Sequence, residues 1–258
     1  MKVGLVQMDI AWHQRKVNLA KAEDFARRAK AEGCDLIVFP EMFATGYTMD
    51  LTRAEEDGPL IAAFVSDLAK GVNINIVAGV AIKKPGKTMG RNLALVFDRS
   101  GRPLAEYTKM RPFSCAGEDR SFDGGTEVAV FPIDGTAFSV FVCYDLRFPE
   151  LFRKAVPKAK VICVIANWPA SRADHWETLL RARAIENQCV MIGVNRTGID
   201  GKGLVYAGGS QVLAPSGRVV CSAGEAETLL CCEIEPSEVD EIRAQFPFLE
   251  DLRGFSLQ

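Results

Sequence analysis

Short runs that are apolar at every position recur along this chain: Leu36-Ile37-Val38-Phe39, Ile76-Val77-Ala78-Gly79-Val80, Val161-Ile162-Cys163-Val164-Ile165-Ala166 and Val190-Met191-Ile192-Gly193-Val194. A strand with one wet face alternates polar and apolar residues. A strand with no polar position belongs in a sheet covered on both faces. The runs also echo one another. The first, continued by Pro40-Glu41, matches the third, continued by Asn167, and the second matches the fourth. Asn92 to Pro103, with its Ser100-Gly101-Arg102 turn, matches Ser210 to Val219, with Ser216-Gly217-Arg218. Two similar halves, each a sheet under helices, bury these runs by packing sheet on sheet with the helices outside. No linker separates the halves, so residues 1–258 are expected to form a single domain.

The pattern between these runs predicts helices over 18–30, where Leu19, Ala22, Phe25, Ala26 and Ala29 share a face, and over 60–70. A third starts at Pro149, a fourth runs to Asn187 with Asp174 as its cap, and a short last one covers 236–245. Further strands are predicted over 3–8, 74–82, 92–98, 136–142, 210–214, 218–220 and 228–234. The tail Phe246-Pro247-Phe248-Leu249 is apolar and calls for a covering surface, such as a partner subunit.

With 48% hydrophobic residues the chain can bury a large core, and a net charge of −2 with no long basic run leaves no footprint for nucleic acid. The N-terminus is too soon interrupted for a signal peptide and no apolar stretch reaches membrane-spanning length, so a soluble, cytoplasmic protein is expected. Eight scattered cysteines include no CxxC pair, and only His13 and His175 are available. Neither a disulfide framework nor a His-rich metal site is expected, and no cofactor is implied.

Three residues stand at or just beyond the C-terminal ends of strands: Glu41 after 36–39, Lys109 after Tyr107-Thr108, and Cys143 after 136–142. Cys143 sits on a turn leading towards the helix at Pro149, where a helix N-terminus would favour its thiolate. Each residue alone has an ordinary explanation: a buried cysteine, a helix cap, a solvated lysine. Together a thiol, a carboxylate and an ammonium suffice for acyl transfer, because the base takes the thiol proton and the ammonium meets the oxyanion. The set also makes histidine unnecessary in a chain nearly devoid of it.

These residues resemble a known pattern. Phe39-Pro40-Glu41, Lys109 with Pro112-Phe113, and Cys143-Tyr144-Asp145-Leu146-Arg147-Phe148-Pro149 are similar to the motifs of the nitrilase superfamily of carbon–nitrogen hydrolases, and the likeness covers essentially the whole chain. The resemblance implies an α/β, four-layer αββα sandwich, dimeric or of higher order. It implies Cys143 as nucleophile, Glu41 as base, Lys109 as oxyanion stabiliser, Glu118 as a second glutamate and the Tyr144 backbone N–H as a further oxyanion donor. Within the superfamily, Phe39 to Tyr47, Ala166 to Arg172 and Arg181 to Gln188 resemble bacterial ω-amidases acting on 2-oxoglutaramate and 2-oxosuccinamate. General aliphatic amidases, N-carbamoyl amide hydrolases and nitrilases of the same superfamily remain alternatives.

Other residues admit two readings. Arg172 suits either a bidentate contact to a substrate carboxylate or a surface ion pair. Arg147 either binds substrate or pairs with a carboxylate such as Glu150. Trp168 either walls the pocket or fills the core below it. Two further classes compete with a small-molecule amidase. A non-catalytic binding protein on this fold conflicts with the intact Glu41, Lys109, Glu118 and Cys143 set. A thiol-redox protein, suggested by the cysteine count, conflicts with the absence of CxxC.

Overall fold

Residues 1–156 and 158–252 are described by the computed structural model. In chain order the elements are β1 (Lys2–Gln7), α1 (Arg15–Ala31), β2 (Leu36–Val38), α2 (Leu51–Glu56), α3 (Gly58–Val72), β3 (Asn75–Ile82), β4 (Arg91–Phe97) and β5 (Pro103–Thr108). There follow β6 (Val130–Ile133), β7 (Thr136–Val142), α4 (Pro149–Ala155), β8 (Val161–Ala166), α5 (Ala173–Asn187) and β9 (Val190–Asn195). A short hairpin, β10 (Thr197–Ile199) and β11 (Val205–Ala207), precedes β12 (Gln211–Leu213), β13 (Val219–Ser222), β14 (Thr228–Glu233) and α6 (Ser237–Gln245).

Two six-stranded sheets result, in the orders β14-β1-β2-β3-β4-β5 and β6-β7-β8-β9-β12-β13. Written this way they correspond strand for strand. Each opens on an antiparallel pair, continues through two parallel pairs and closes on two antiparallel ones. The register slips at matching places, between Val96 and Phe97 in β4 and between Val212 and Leu213 in β12. The internal echo in the sequence is therefore an echo in topology.

The apolar runs are sorted by period two. On β2, Leu36 and Val38 join the core between the sheets, whereas Ile37, and Phe39 just beyond the strand, pack under helices together with Phe25 of α1 and Ile61 and Val65 of α3. On β3, Val77 faces inward and Ile76, Ala78 and Val80 face the helices. The second sheet lies between that inner core and the apolar residues Leu151, Phe152, Trp176, Leu180 and Ala184 of α4 and α5. β1 packs on β9 and β4 on β7, so the layers are helix, sheet, sheet, helix.

Two local expectations change. Asp174 does not cap α5: the chain enters through a 3-10 turn at Ala170–Arg172, already coiled, so Arg172 holds the cap position and Asp174 lies in the first turn. Its charge still opposes the positive end of the helix dipole. The hairpin β10–β11 and strand β6 lie in stretches where no strand was expected. Phe246 and Phe248 of the tail are exposed, while Leu249 packs against the core. Among the described residues no helix is long and apolar enough to cross a membrane.

Candidate active site

Glu41 is carried by the turn after β2. The parallel pairing with β3 is prolonged by a hydrogen bond from Phe39 N to Val77 O, after which Met42 adopts a left-handed φ of 45° and turns the chain back over β3. Gly79 makes that turn possible, because a Cβ there would collide with Glu41 Cα, with Pro40 O at 2.7 Å and with Met42 N at 2.8 Å. The carboxylate is fully buried. Its Oε1 accepts from Lys109 Nζ at 3.0 Å and Asn92 Nδ2 at 2.7 Å, and its Oε2 accepts from the Asn167 backbone N–H at 2.9 Å.

Lys109 leaves β5 on the same rim and is held between two carboxylates, with Glu118 Oε2 at 2.8 Å on the other side. Glu118 returns to this point from the loop joining the two sheets. It accepts from Tyr47 Oη at 2.9 Å, from Phe113 N at 2.6 Å and, through Oε1, from Asn92 Nδ2 at 2.8 Å. Asn92 thus bridges both carboxylates with one amide nitrogen. Burial opposes charge on Lys109, but the facing Glu41 and Glu118 outweigh it and hold the ammonium well above its ordinary pKa. Burial likewise pushes the Glu118 carboxyl up, and Lys109 with the hydrogen bonds from Asn92 and Phe113 prevails, leaving it below the usual carboxylate range.

Cys143 directly follows β7 and has φ of 47°, a strained conformation for a residue with a Cβ. It opens a 3-10 turn, Cys143–Arg147, fastened from within: Asp145 accepts from Val142 N at 3.1 Å, Arg111 N at 2.8 Å and Tyr107 Oη at 2.8 Å. The thiol lies 3.8 Å from the carbonyl of Asn167, whose own N–H bonds Glu41. One peptide segment therefore touches both groups. The helix-dipole expectation is reversed here. Burial, and then the Glu41 charge, push the Cys143 thiol well above its ordinary pKa, with Lys109 opposing. A short 3-10 turn offers little dipole against full desolvation. Burial therefore favours the neutral thiol over the thiolate.

A pocket of about 140 Å³ opens over Cys143 and is walled by Tyr47, Phe113, Tyr144, Trp168 and Tyr206. Three cations reach its lining: Arg147, Arg172 and Lys202. Arg147 stacks over Trp168 with its guanidinium 4.7 Å from the ring centroid and meets His175 Nδ1 at 3.2 Å, not Glu150. Arg172 lies 5.9 Å from the Phe113 ring centroid. Among the described residues, none of the three has a carboxylate within ion-pair distance. Asp200, the acidic residue among the described residues that line the pocket, is occupied by the Lys202 and Leu204 amides and by Tyr206 Oη.

The carbon–nitrogen hydrolase family model matches residues 2–244. The chain belongs to this family. The hydrolase is 36% identical to 2-oxoglutaramate amidase of Bacillus subtilis, covering 97% of each chain. It is 31% identical to omega-amidase YafV of Escherichia coli K12, covering all of this chain and 98% of that one. Among solved structures it matches a superfamily protein of Xanthomonas campestris with an arsenic adduct in its active site: TM-score 0.92, 31% identity, 100% and 99% coverage. It also matches an amidase of Nesterenkonia in which acrylamide has added to the active-site cysteine: TM-score 0.85, 28% identity, 96% and 98% coverage.

In this hydrolase, Glu41, Lys109 and Glu118 converge in one buried network, with Cys143 beside it and Trp168, Arg172 and Tyr144 on the pocket wall. Trp168 is almost fully buried yet lines the pocket, and its Nε1 donates to Arg172 O at 2.7 Å. Sequence reasoning missed Asn92, Tyr47, Lys202 and Tyr206. Asn92 left one signal, a lone amide at the head of an apolar strand. Among the described residues no group of three or more His, Cys, Asp or Glu is arranged to hold a metal ion.

Proposed function

We propose that this carbon–nitrogen hydrolase is an ω-amidase that releases ammonia from the terminal amide of a small 2-oxo acid such as 2-oxoglutaramate or 2-oxosuccinamate. The observation that carries this reading is the charge of the pocket: aromatic walls over Cys143, with Arg147 and Arg172 lacking carboxylate partners among the described residues. Two unneutralised guanidinium groups in a small pocket favour a ligand that brings its own carboxylate, and arginine binds one through paired hydrogen bonds. Its relatives named 2-oxoglutaramate amidase and omega-amidase support the same reading.

In the proposed reaction Glu41 accepts the Cys143 thiol proton as sulfur adds to the amide carbonyl. The oxyanion is met by Lys109 Nζ and the Tyr144 N–H, which stands in the first turn of the 3-10 segment where amides lack an intrahelical partner. Glu118 holds Lys109 in place. Collapse breaks the carbon–nitrogen bond, and the proton on Glu41 passes to the nitrogen, giving ammonia and a thioester. Glu41 then deprotonates water, which attacks the thioester, and the departing thiolate regains that proton. We further infer a homo-oligomer, a dimer or larger, supported by the exposed apolar side chains Ile185, Val219, Val220, Phe246 and Phe248.

Side-by-side kinetics on 2-oxoglutaramate and an uncharged amide of the same length test the substrate. The carboxylate is expected to raise kcat/KM by more than tenfold, and Arg172→Met to remove most of that preference while sparing turnover of the neutral amide. Equal efficiency on both amides would overturn the ω-amidase reading and return a general aliphatic amidase.

A further inference from the structure

Away from the pocket, at the opposite end of β2 from Glu41, two thiols meet. Cys34, in the turn between α1 and β2, places its Sγ 3.5 Å from that of Cys231 on β14. Strand β1 runs between them, and the residue it pairs with Cys231 is Gly4. A Cβ on Gly4 would lie 3.5 Å from Cys34 Sγ and 3.3 Å from both Ala29 Cβ and Leu229 Cδ1. Glycine at this position leaves room for the two side chains to touch across the strand. Access to them differs. Cys34 is buried, whereas Cys231 is partly exposed and lines a surface hollow of about 370 Å³ with Arg28 and Leu229. Cys232, the next residue, belongs to the opposite face of the sheet, in the core against which Cys221 of β13 packs, and its Sγ lies 3.5 Å from Glu233 O.

We propose that Cys34 and Cys231 form an oxidative modification site, in which a hydroperoxide oxidises Cys231 and Cys34 closes the pair to a disulfide. In the first step the Cys231 sulfur attacks the peroxide O–O bond, giving a sulfenic acid and one molecule of water from hydrogen peroxide. In the second, the Cys34 sulfur displaces hydroxide from that sulfenic acid, the Cys34 proton goes to the leaving oxygen, and a second water departs. Two electrons and two protons leave the thiols and reduce the peroxide. The order follows from access: Cys231 faces the hollow, and burial pushes the Cys34 thiol up to about 12, so it is no competitor for the first step. The sulfurs must close from 3.5 Å to about 2.05 Å, a movement the α1–β2 turn carries more readily than the paired strands.

The bond ties β14, near the end of the chain, to the start of β2. It closes a very long loop and lies at the opposite end of the sheet from Glu41. Stabilisation without a change in the pocket is the expected consequence, on the order of 5 °C in thermal midpoint.

The test treats the whole protein with hydrogen peroxide and maps its peptides without reduction. A linked Cys34–Cys231 peptide pair, two hydrogens lighter than the separate thiol peptides, is expected, together with a raised midpoint that dithiothreitol reverses. In Cys34→Ser a 1,3-diketone probe should label Cys231, and in Cys231→Ser Cys34 should stay a thiol. Linkage of Cys231 to Cys232, or of Cys232 to Cys221 in its place, would overturn the proposal. So would a Cys231 driven to the sulfonic acid beside an unreacted Cys34, or a linked pair whose midpoint does not move.

Discussion

At Cys143 the backbone and the thiol are strained in different ways. The φ of 47° costs a residue with a Cβ on the order of 1 kcal/mol, which glycine avoids. Burial beside Glu41 penalises the thiolate. The Asp145 carboxylate holds the turn against the first cost through its three hydrogen bonds. Both Cys143→Ala and Cys143→Gly remove the proposed nucleophile and should abolish ammonia release. Their stabilities should differ in an unusual direction. In regular structure glycine is the less stable of the two, but here Cys143→Gly should match or exceed Cys143→Ala by about 1 kcal/mol in urea unfolding. A Gly variant less stable than the Ala variant by that amount would remove strain from this account. At this scale the sequence was half legible. Glu41, Lys109 and Cys143 stand out by their chemistry at strand ends, whereas Glu118, on a loop, is offered only by the resemblance to the nitrilase superfamily. Asn92 and Tyr47 do not, because a single amide or phenol in an apolar stretch reads as an edge or a filler until the fold shows which carboxylate it meets.

At the scale of elements the repeat gives a controlled comparison. Gly79 on β3 and Gly193 on β9 occupy matching places in the two sheets, and both exclude a neighbour. Under Gly79 that neighbour is backbone, the Pro40–Met42 segment that carries Glu41. Under Gly193 it is the ends of side chains, Leu180 Cδ1 and, at 2.9 Å, Trp176 Cζ2. Side-chain ends yield by rotamer change, whereas a turn fixed by its own hydrogen bonds does not. Gly193→Ala should therefore cost roughly 1–3 kcal/mol of stability and leave kcat within a few fold, as overpacking usually does. Gly79→Ala should cost more stability and also lower kcat by at least tenfold, because it displaces Glu41. Comparable kcat values in the two variants would show that the turn adapts. The matching apolar runs made this correspondence readable beforehand. The β10–β11 hairpin was not, since its exposed Ile199, Leu204 and Val205 have no periodic pattern to distinguish strand from loop.

Across the whole molecule, the layered architecture was legible because strands apolar at every position admit few alternatives. The place of β14 was not, since its return to β1 is decided by pairing between the two ends of the chain. That closure seals a core holding buried titratable groups, Glu118, Lys109 and Asp145 among them, and global stability should record them. Glu118 is held below its ordinary 4.5, so its contribution is full above that value and is lost as pH falls through its native pKa. Lys109 is held above 10.5, so its contribution is full below that value and is lost only as pH rises through its native pKa. Asp145 runs the other way. Burial raises it from 3.8 to about 6, so its contribution is full below 3.8 and is lost as pH rises through 6. Acidification should thus weaken the Glu118–Lys109 link while relieving Asp145, and the wild-type acid limb should be shallower than Glu118 alone would make it. Glu118→Gln isolates the first of these. In urea unfolding from pH 3 to pH 8 the variant should be less stable than wild type near neutrality. The gap should narrow only below about pH 4.5, as the wild-type carboxyl takes up its proton. A gap that stays constant across the whole range would mean that Glu118 is not ionised in the folded protein, and that Lys109 is balanced by Glu41 alone.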